Sequence, residues 1–266
     1  MRIAQTFLQL QNKPAFVAYL CAGDPSYQTT LTTMLAMPKL GVDIIEVGVP
    51  FLDPSGDGPI IEMASKRAVT NGATLPKTLN LIADFRKQNQ HTPIVVMSYF
   101  NPLLKYGLEQ VFFDIKKAGA DGVLIVDLPF EEQVEVLDCI KMVQLDFINL
   151  ISPATPIARA KQILQNTSGF VYLISLAGIT GTKQAQATDN ILQIKQLQEI
   201  TNLPIVVGFG IKNSQQAQDF ANIGANGIVI GSALVEKIAQ LPSDCQNLTP
   251  EISNFISEIN RAILIK

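Results

Sequence analysis

One carboxylate of the segment EVGVPFLDPSGDGP, residues 46–59, lies within an apolar run that predicts a β-strand. Side chains alternate between the two faces of a strand, so Glu46 lies on the face opposite to Ile45 and Val47. If helices cover Ile45 and Val47, Glu46 points into the interior, where burial raises the pKa of a carboxyl group and suits it to proton transfer near neutral pH. The alternative is a structural glutamate paired with a polar neighbour such as Tyr172.

Two further carboxylates follow in a loop that is rich in proline and glycine. Asp57 has glycine on both sides, which suits a loop that folds over a site, but Asp beside Gly is also common in plain turns. Asp53 precedes Pro54, and a turn explains this pair. Residue types and spacing therefore leave Asp57 open between a catalytic partner of Glu46 and a turn residue, and they give Asp53 no catalytic role.

Glycine recurs where three predicted strands of the second half of the chain end, in residues 177–181, 208–211 and 231–234. Glycine lets the backbone come close to phosphate oxygens, and the last two loops of a strand–helix barrel, with the start of a short helix, often bind phosphate. Ser232 adds a hydroxyl group, although it also fits an ordinary N-cap. The repetition predicts a ligand that carries a phosphate group.

Short apolar runs rich in β-branched and aromatic residues alternate with helical patterns along the whole chain. Runs without polar alternation are typical of parallel strands that helices cover. Eight such runs in 266 residues, near the usual length of about 250 residues for this fold, predict an α/β protein with a (β/α)8 TIM barrel; a doubly wound open sheet is the alternative. No linker composition divides the chain, so we expect one domain, residues 1–266. The predicted strands are residues 15–20, 44–47, 94–97, 123–126, 147–150, 170–174, 205–207 and 227–230.

Three additional helices complete the predicted barrel. One covers the N-terminus, where apolar residues between positions 3 and 10 fit one helical face. A second, residues 60–69, fills the wide gap between strands two and three, and a short third helix starts at Ser232 after strand eight. Active sites of this fold lie at the C-terminal mouth of the barrel, where the loop after strand two also lies. The carboxylates of residues 46–59 are therefore expected at the active site.

The composition opposes several classes of function. A formal net charge of −3, with scattered Lys and Arg, offers no basic surface for nucleic acid. No apolar run approaches the roughly 20 residues that a membrane-spanning helix needs, and the first residues lack a signal-peptide core. His91 is the only histidine, which opposes a multi-histidine metal site, and we expect a structural role for it. Three cysteines without metal-ligand spacing predict reduced thiols in a cytoplasmic protein.

The segment with the three carboxylates resembles the signature of the tryptophan synthase alpha subunit family, with Leu52 where the family usually has serine. The similarity continues through shorter motifs in the family's order and covers essentially the whole chain. The long segment is highly specific, whereas the glycine turns alone fit many phosphate-binding barrels. The shorter motifs are Ala22-Gly23-Asp24-Pro25, Tyr99-Phe100-Asn101-Pro102, Asp127-Leu128-Pro129, Gly178-Ile179-Thr180-Gly181, Gly208-Phe209-Gly210-Ile211 and Gly231-Ser232-Ala233-Leu234-Val235.

The resemblance implies a lyase that cleaves indole-3-glycerol phosphate to indole and glyceraldehyde 3-phosphate, without a metal or an organic cofactor in this chain. It implies that Glu46 is the acid–base group at indole C3 and the glycerol hydroxyl, and that Asp57 binds the indole N–H and stabilises positive charge on the ring. Thr180, on a mobile sixth loop, would contact the aspartate. The implied phosphate ligands are Gly181, Gly210, Gly231 and Ser232. The positions implied to enclose the indole, which barrel packing explains equally, are Tyr19, Met97, Tyr99, Leu124, Tyr172 and Phe209.

The resemblance also implies a partner, a beta subunit that carries pyridoxal phosphate, receives indole through a tunnel and joins it to serine to form L-tryptophan in an α2β2 assembly. Asp53 and Pro54 match the family's contact with that subunit. Leu52 lies in the same loop, and Leu176 stands where some members carry Arg; neither departure touches the two catalytic carboxylates. A stand-alone lyase that releases free indole is the alternative.

Two interpretations outside this family are an isomerase or epimerase of sugar phosphates and a barrel kept as a non-catalytic allosteric or scaffolding subunit. The first shares the glycine turns but has no need of the paired carboxylates, and the second has no need of either carboxylate. Residues 176–187 are small and polar, with little apolar surface to pack down. They predict a loop that is mobile without ligand and ordered when substrate or partner is present.

Overall fold

Eight parallel strands form a closed barrel in the computed structural model, which describes residues 1–175 and 183–265. The strands are β1 (Ala15–Cys21), β2 (Ile44–Gly48), β3 (Ile94–Ser98), β4 (Gly122–Ile125), β5 (Asp146–Ile151), β6 (Val171–Ile174), β7 (Ile205–Gly208) and β8 (Gly227–Ile230). Each strand pairs with the next in chain order, and β8 pairs with β1. This closure confirms the predicted (β/α)8 barrel and rules out the open doubly wound sheet.

The alternation of side chains along the strands separates two apolar layers. On β2, Ile45 and Val47 belong to the layer between strands and helices, and Ile44 belongs to the cluster inside the barrel. All three side chains are fully buried. Both faces of each strand are therefore buried, which explains why the strands appear in the sequence as continuous apolar runs.

Helices cover the outside of the barrel. They are α1 (Arg2–Leu10), α2 (Tyr27–Ala36), α3 (Pro59–Thr70), α4 (Leu75–Arg86), α5 (Phe100–Tyr106), α6 (Leu108–Ala118), α7 (Val134–Met142), α8 (Ile157–Gln165), α9 (Lys183–Ile200), α10 (Ser214–Asn222), α11 (Ser232–Ile238) and α12 (Pro250–Leu264), with 3-10 turns at Met37–Leu40 and Phe130–Glu132. Several begin where a side chain accepts a hydrogen bond from a free backbone N–H of the first turn, as at Ser26, Thr74, Asn213 and Thr249. Among the described residues, no helix has the length and apolar character needed to cross a membrane.

The predicted N-terminal helix is present as α1, and it closes the bottom of the barrel. Ile3 is fully buried in the cluster inside the barrel, and the ring of Phe7 packs edge-on against that of Phe170, 6.2 Å between centroids. Arg2 donates to Asp121 at 2.8 Å, at the start of β4. These contacts exclude water from the end of the barrel opposite to the expected site.

The extra helix α3 follows β2 and occupies the predicted position. Its Arg67 forms a two-pronged ion pair with buried Asp24, at 2.8 and 2.9 Å, and Asn71 donates to the carbonyl of Pro25 at 2.8 Å. Both contacts join α3 to the loop after β1. The chain between β2 and α3, which carries Asp57, is thereby fixed at its far end against the barrel.

Candidate active site

A cavity of about 290 Å³ lies at the C-terminal mouth of the barrel. The residues predicted to do acid–base chemistry or to enclose a ring that line it are Tyr19, Glu46, Asp57, Met97, Tyr172 and Phe209. The predicted phosphate ligands Gly210, Gly231 and Ser232 line it as well. The fold therefore brings the two carboxylates, an aromatic pocket and the glycine turns of loops seven and eight into one space.

Glu46 is a buried carboxyl group on the inner face of β2. Its side chain is 1% exposed, and neither carboxyl oxygen has a hydrogen-bond partner among the described residues. Burial alone raises the pKa of Glu46 to about 8. No described hydrogen bond joins it to Tyr172 or Tyr99, so the structural pairing considered as its alternative is absent from the described part of the chain. Such a group is protonated at pH 7 and is poised to exchange a proton with a ligand in the cavity.

Two glycines make room for tyrosine rings beside Glu46. A Cβ atom at Gly48 would overlap the hydroxyl of Tyr19, and one at Gly208 would overlap the hydroxyl of Tyr172. Tyr19 lies directly opposite Glu46 in the β1–β2 register. The absence of side chains at Gly48 and Gly208 therefore allows two aromatic rings to fill the top of the barrel and keep water from the carboxyl group.

Asp57 reaches the cavity from the loop between β2 and α3, and Tyr99 holds it. The Tyr99 hydroxyl accepts a hydrogen bond from the Gly56 N–H at 3.1 Å and donates one to the Asp57 carboxylate. Burial raises the pKa of Asp57, the Tyr99 hydrogen bond opposes that rise, and the negative charge of Glu62 adds to it. The ring of Phe51 packs against Tyr99, 5.4 Å between centroids. Asp57 is thus a positioned acceptor at the cavity wall, beyond what a plain turn residue requires.

The turn after β7 places an aromatic ring and a glycine in the cavity wall. Phe209 has a φ of 70° and Gly210 a φ of 79°, and for a phenylalanine this left-handed conformation is strained. The Ser175 hydroxyl donates to the Phe209 carbonyl, and the Phe209 ring meets that of Tyr172 edge-on, 5.9 Å between centroids. This backbone conformation places both the ring of Phe209 and Gly210 in the cavity wall.

Two residues predicted to enclose the indole do not line the cavity. Leu124 is fully buried among the side chains inside the barrel, opposite Met97 in the β3–β4 register. Tyr99, 3% exposed, binds the loop that carries Asp57 instead. The resemblance to the family supplies these two positions, and it does not distinguish a side chain below the cavity from one that forms its wall.

Some predictions concern residues outside the described part of the chain. Thr180, Gly181 and Leu176 lie there. Residues 183–187, predicted as the end of a loop, instead form the first turns of α9; this part of the prediction is wrong. Their sequence KQAQA consists of good helix formers, and a low apolar content does not prevent a helix.

The sequence patterns do not predict several residues of the cavity wall. Ile60 and Ile61, in the first turn of α3, and Val229, on the inner face of β8, add apolar surface, and Lys212 adds a positive charge. The inward position of Val229 follows from alternation with Ile228, but a loop residue such as Lys212 has no periodicity that would place it.

The loop between Glu46 and Asp57 is exposed at its tip. Leu52 is 63% exposed, Asp53 is exposed, and Pro54 is half-buried. These side chains therefore remain available to another protein. Their exposure contrasts with Phe51, which is half-buried and packs on Tyr99.

Comparison with known proteins agrees with this geometry. A family model described as tryptophan synthase alpha chain matches residues 6–263. The structure is similar to tryptophan synthase subunit alpha from Legionella pneumophila str. Paris, with 33% identity, 98% of each chain covered and a TM-score of 0.88. A chain of Mycobacterium tuberculosis tryptophan synthase in its aminoacrylate-bound form is 29% identical, with 98% of this chain and 99% of that chain covered and a TM-score of 0.85.

A third similar structure is a chain of the tryptophan synthase α2β2 complex from the hyperthermophile Pyrococcus furiosus. The two sequences are 33% identical, the match covers 93% of this chain and 98% of that chain, and the TM-score is 0.84. The match of the family model extends over nearly every element of the barrel, from within α1 to the last turn of α12. The chain therefore belongs to the tryptophan synthase alpha chain family.

Proposed function

We propose that this chain cleaves indole-3-glycerol phosphate to indole and glyceraldehyde 3-phosphate by a retro-aldol reaction. The observation that carries the proposal is the Glu46 carboxyl group, which is 1% exposed, has no described partner, and faces a cavity whose wall holds a second carboxylate. Burying an unpaired carboxyl group costs stability, so a protein retains one where proton transfer needs it.

Glu46 begins the reaction as a proton donor. Because burial raises the pKa of Glu46 to about 8, the group is protonated at pH 7 and transfers its proton to indole C3. The C3 carbon becomes tetrahedral, and the positive charge moves to the ring nitrogen. Asp57, which lines the same cavity, accepts a hydrogen bond from the ring N–H and stabilises this charge.

Glu46 then acts as a base. Its carboxylate removes the proton from the glycerol hydroxyl adjacent to the ring; the electron pair of the broken O–H bond forms the second bond of a carbonyl, and the bond between C3 and the glycerol chain breaks. The electrons of that bond return to the ring and restore neutral, aromatic indole, while the carbonyl fragment leaves as glyceraldehyde 3-phosphate. Glu46 ends protonated, as it began, so the cycle needs no added acid, base or oxidant, and we propose that it needs no metal or organic cofactor in this chain.

The other cavity residues have binding roles in this proposal. Tyr19, Met97, Tyr172 and Phe209 enclose the indole ring, since their side chains form the apolar wall around Glu46. The backbone of Gly210 and Gly231 and the hydroxyl of Ser232 bind the phosphate group. Thr180 and Gly181, which lie outside the described residues, are proposed to contact Asp57 and the phosphate, respectively, and residues 176–182 to form a lid.

We further propose that the chain acts with a tryptophan synthase beta subunit that holds pyridoxal phosphate and converts the indole to L-tryptophan in an α2β2 assembly. The exposed tip of the loop after β2, with Leu52, Asp53 and Pro54, is the proposed contact. That loop also carries Asp57, so contact with the partner at its tip is linked to the catalytic carboxylate through the loop. Residues 1–266 are proposed to form one domain.

The experiment that tests the function incubates the purified chain with indole-3-glycerol phosphate and follows the release of indole, in buffer treated with a chelator. Indole release that depends on Glu46 supports the proposal. A chain that isomerises or epimerises a sugar phosphate, and leaves indole-3-glycerol phosphate intact in the presence and absence of a beta subunit, contradicts it. A large rise in turnover on addition of a beta subunit supports the proposed partner.

A further inference from the structure

The cavity contains one side chain that the proposed mechanism does not use. Lys212 lies in the loop between β7 and α10 and forms part of the cavity wall, together with Gly210, Gly231 and Ser232. Among the described residues that line the cavity, it alone carries a positive charge, whereas the ionisable groups at the wall shared with β2 and α3 are carboxyls.

The backbone of Lys212 is fixed while its side chain is free. Its N–H donates to the side-chain carbonyl of Gln216 at 2.8 Å, and Asn213, the next residue, caps α10 by accepting from the Gln216 N–H at 2.9 Å. Among the described residues, no carboxylate forms an ion pair with Lys212. The lysine is therefore anchored at the mouth of the cavity with an ammonium group that no described residue neutralises.

A phosphate monoester needs such a group in this cavity. It carries roughly −1.5 to −2 charges at pH 7, and it would enter a space that already contains Glu46 and Asp57, whose pKa values burial has raised. Backbone N–H groups offer partial charges only, and the Lys212 N–H is already bound to Gln216. A full positive charge at the phosphate end offsets the repulsion between the phosphate and the Asp57 carboxylate, and that from Glu46 once it has given up its proton.

We propose that the Lys212 ammonium group binds the phosphate group of the substrate, beside Gly210, Gly231 and Ser232, and determines the preference of the cavity for a doubly charged phosphate ester. This inference rests on the proposed function, because it assigns a further residue to the phosphate end of the same site. The side chain is long and exposed, so it reaches the phosphate as a flexible point charge. It takes no part in the proton transfer at Glu46.

The first test measures the binding of inorganic phosphate to the whole chain by calorimetry at low ionic strength. Lys212→Gln removes the charge and keeps a polar, unbranched side chain that is one atom shorter, and Lys212→Arg keeps the charge. Lys161→Gln, on the exposed face of α8, changes the net charge equally at a distance from the cavity. We expect the dissociation constant to rise about tenfold in Lys212→Gln and to stay within about twofold in the other two variants.

The second test measures turnover of indole-3-glycerol phosphate and binding of neutral indole. We expect Lys212→Gln to raise KM about tenfold with kcat and indole affinity nearly unchanged, because the lost contact binds substrate and transition state alike. Equal phosphate affinity in wild type and Lys212→Gln, an equal loss in Lys161→Gln, or no phosphate binding by the wild type would each overturn the proposal. Wild-type protein that binds phosphate but releases no indole, with and without a beta subunit, would instead refute the proposed function and leave the phosphate result standing.

Discussion

Two buried acidic residues at opposite ends of the barrel have opposite environments. Asp121, at the bottom, is 5% exposed and accepts hydrogen bonds from Arg2 and Arg86, each at 2.8 Å, and from the Ile94 N–H at 2.9 Å. Glu46, at the mouth, is 1% exposed and has no partner among the described residues. The same chemical group is neutralised at one end of the barrel and left unpaired at the other.

The difference separates stability from function within one fold. At the bottom, Arg86 also donates to the carbonyls of Gly119 at 2.8 Å and Thr92 at 2.7 Å, so both charges of the buried pair are solvated by the protein. Nothing similar surrounds Glu46, and its burial opposes ionisation and raises its pKa to about 8. A buried charge with hydrogen-bond partners holds elements together, whereas a buried carboxyl group without partners remains available to a ligand.

The largest expected effect is on catalysis at the mouth. Glu46→Gln keeps the shape of the side chain but can neither donate nor accept the proton, so we expect kcat for indole-3-glycerol phosphate cleavage to fall by about 10³- to 10⁴-fold. The free energy of unfolding at pH 7 should not fall, because the variant buries an amide in place of an ionisable group without partners. Indole release and chemical denaturation measure the two quantities.

A matched control for this variant lies at the opposite end of the same strand. Asp43, just before β2, is a half-buried carboxylate that accepts from the Phe16 N–H at 2.8 Å. Asp43→Asn should lower stability and retain near-normal kcat. Near-normal activity in Glu46→Gln, or an equal loss in Asp43→Asn, would remove Glu46 from the mechanism and break the contrast between the two ends.

The second effect is on stability at the bottom. Asp121→Asn leaves the guanidinium group of Arg86, only 7% exposed, without its counter-charge, and burial already lowers the pKa of Arg86 to about 10. Breaking a buried ion pair from one side typically costs about 3 kcal/mol. We therefore expect the free energy of unfolding to fall by about that amount, measured by denaturant titration, while kcat of the folded variant is unchanged.

An exposed ion pair provides the control. Glu131 accepts two hydrogen bonds from Arg159 at the surface, and exposed pairs contribute little to stability because water screens them. Glu131→Gln should therefore unfold close to wild type. A loss of kcat in folded Asp121→Asn would show that the bottom network also serves the site, and the two ends would no longer be separate in function.

The sequence predicts the strands and helices that position Glu46 and Asp121 better than it predicts the contacts around these residues. The barrel, its strand positions and the inward direction of Glu46 follow from apolar periodicity, because both faces of each strand are buried and the alternation is strict. The extra helices α1 and α3 follow from the same patterns. Glycine spacing predicts a phosphate site at the turns that contain Gly210 and Gly231, and both residues line the cavity.

Periodicity in the sequence does not predict contacts between distant loops. Tyr99 binds Gly56 and Asp57 across more than 40 positions of the chain, and no local pattern encodes where a loop without regular structure will fold. Lys212 is missed for the same reason. Low apolar content predicts a loop at residues 183–187, but α9 begins at Lys183, and the Ala and Gln residues there are good helix formers.

A third effect is the pH dependence of the free energy of unfolding that Glu46 causes. The pKa of Glu46 is about 8 in the folded chain against an ordinary value of 4.5, so between these values the folded state holds a proton that the unfolded state has lost. Ionisation is thus disfavoured by folding, and the wild type loses about 1.4 kcal/mol of stability per pH unit in this range relative to Glu46→Gln.

The measurement is the difference in free energy of unfolding between Glu46→Gln and wild type, from pH 4 to pH 9. Titrations of other groups, among them Asp57 and Asp146, cancel in the difference when they are independent of Glu46. The variant should gain relative stability as the pH rises from about 4.5 to about 8 and level off outside that window. A flat difference would mean that Glu46 is neutralised by a partner, as Asp121 is.

The smallest expected effect concerns Asp57, which is intermediate between the two extremes because it has one side-chain partner, the Tyr99 hydroxyl. Tyr99→Phe removes the hydrogen bond that lowers the pKa of Asp57 and frees the Gly56 N–H. We expect kcat/KM to fall about tenfold and the pKa of Asp57 to rise further, since burial then acts unopposed. The inflexion of kcat/KM on the acidic side should move to higher pH accordingly.

Tyr27→Phe distinguishes positioning of Asp57 from a general loss of packing. The Tyr27 hydroxyl donates to Asp84 at 2.6 Å, between α2 and α4 and outside the cavity, so this variant also loses one tyrosine–aspartate hydrogen bond. It should lose stability and keep both kcat/KM and its acidic inflexion. If Tyr99→Phe behaves in the same way, Tyr99 is structural, Asp57 needs no partner to work, and an acidic group at the mouth is functional whether or not another residue holds it.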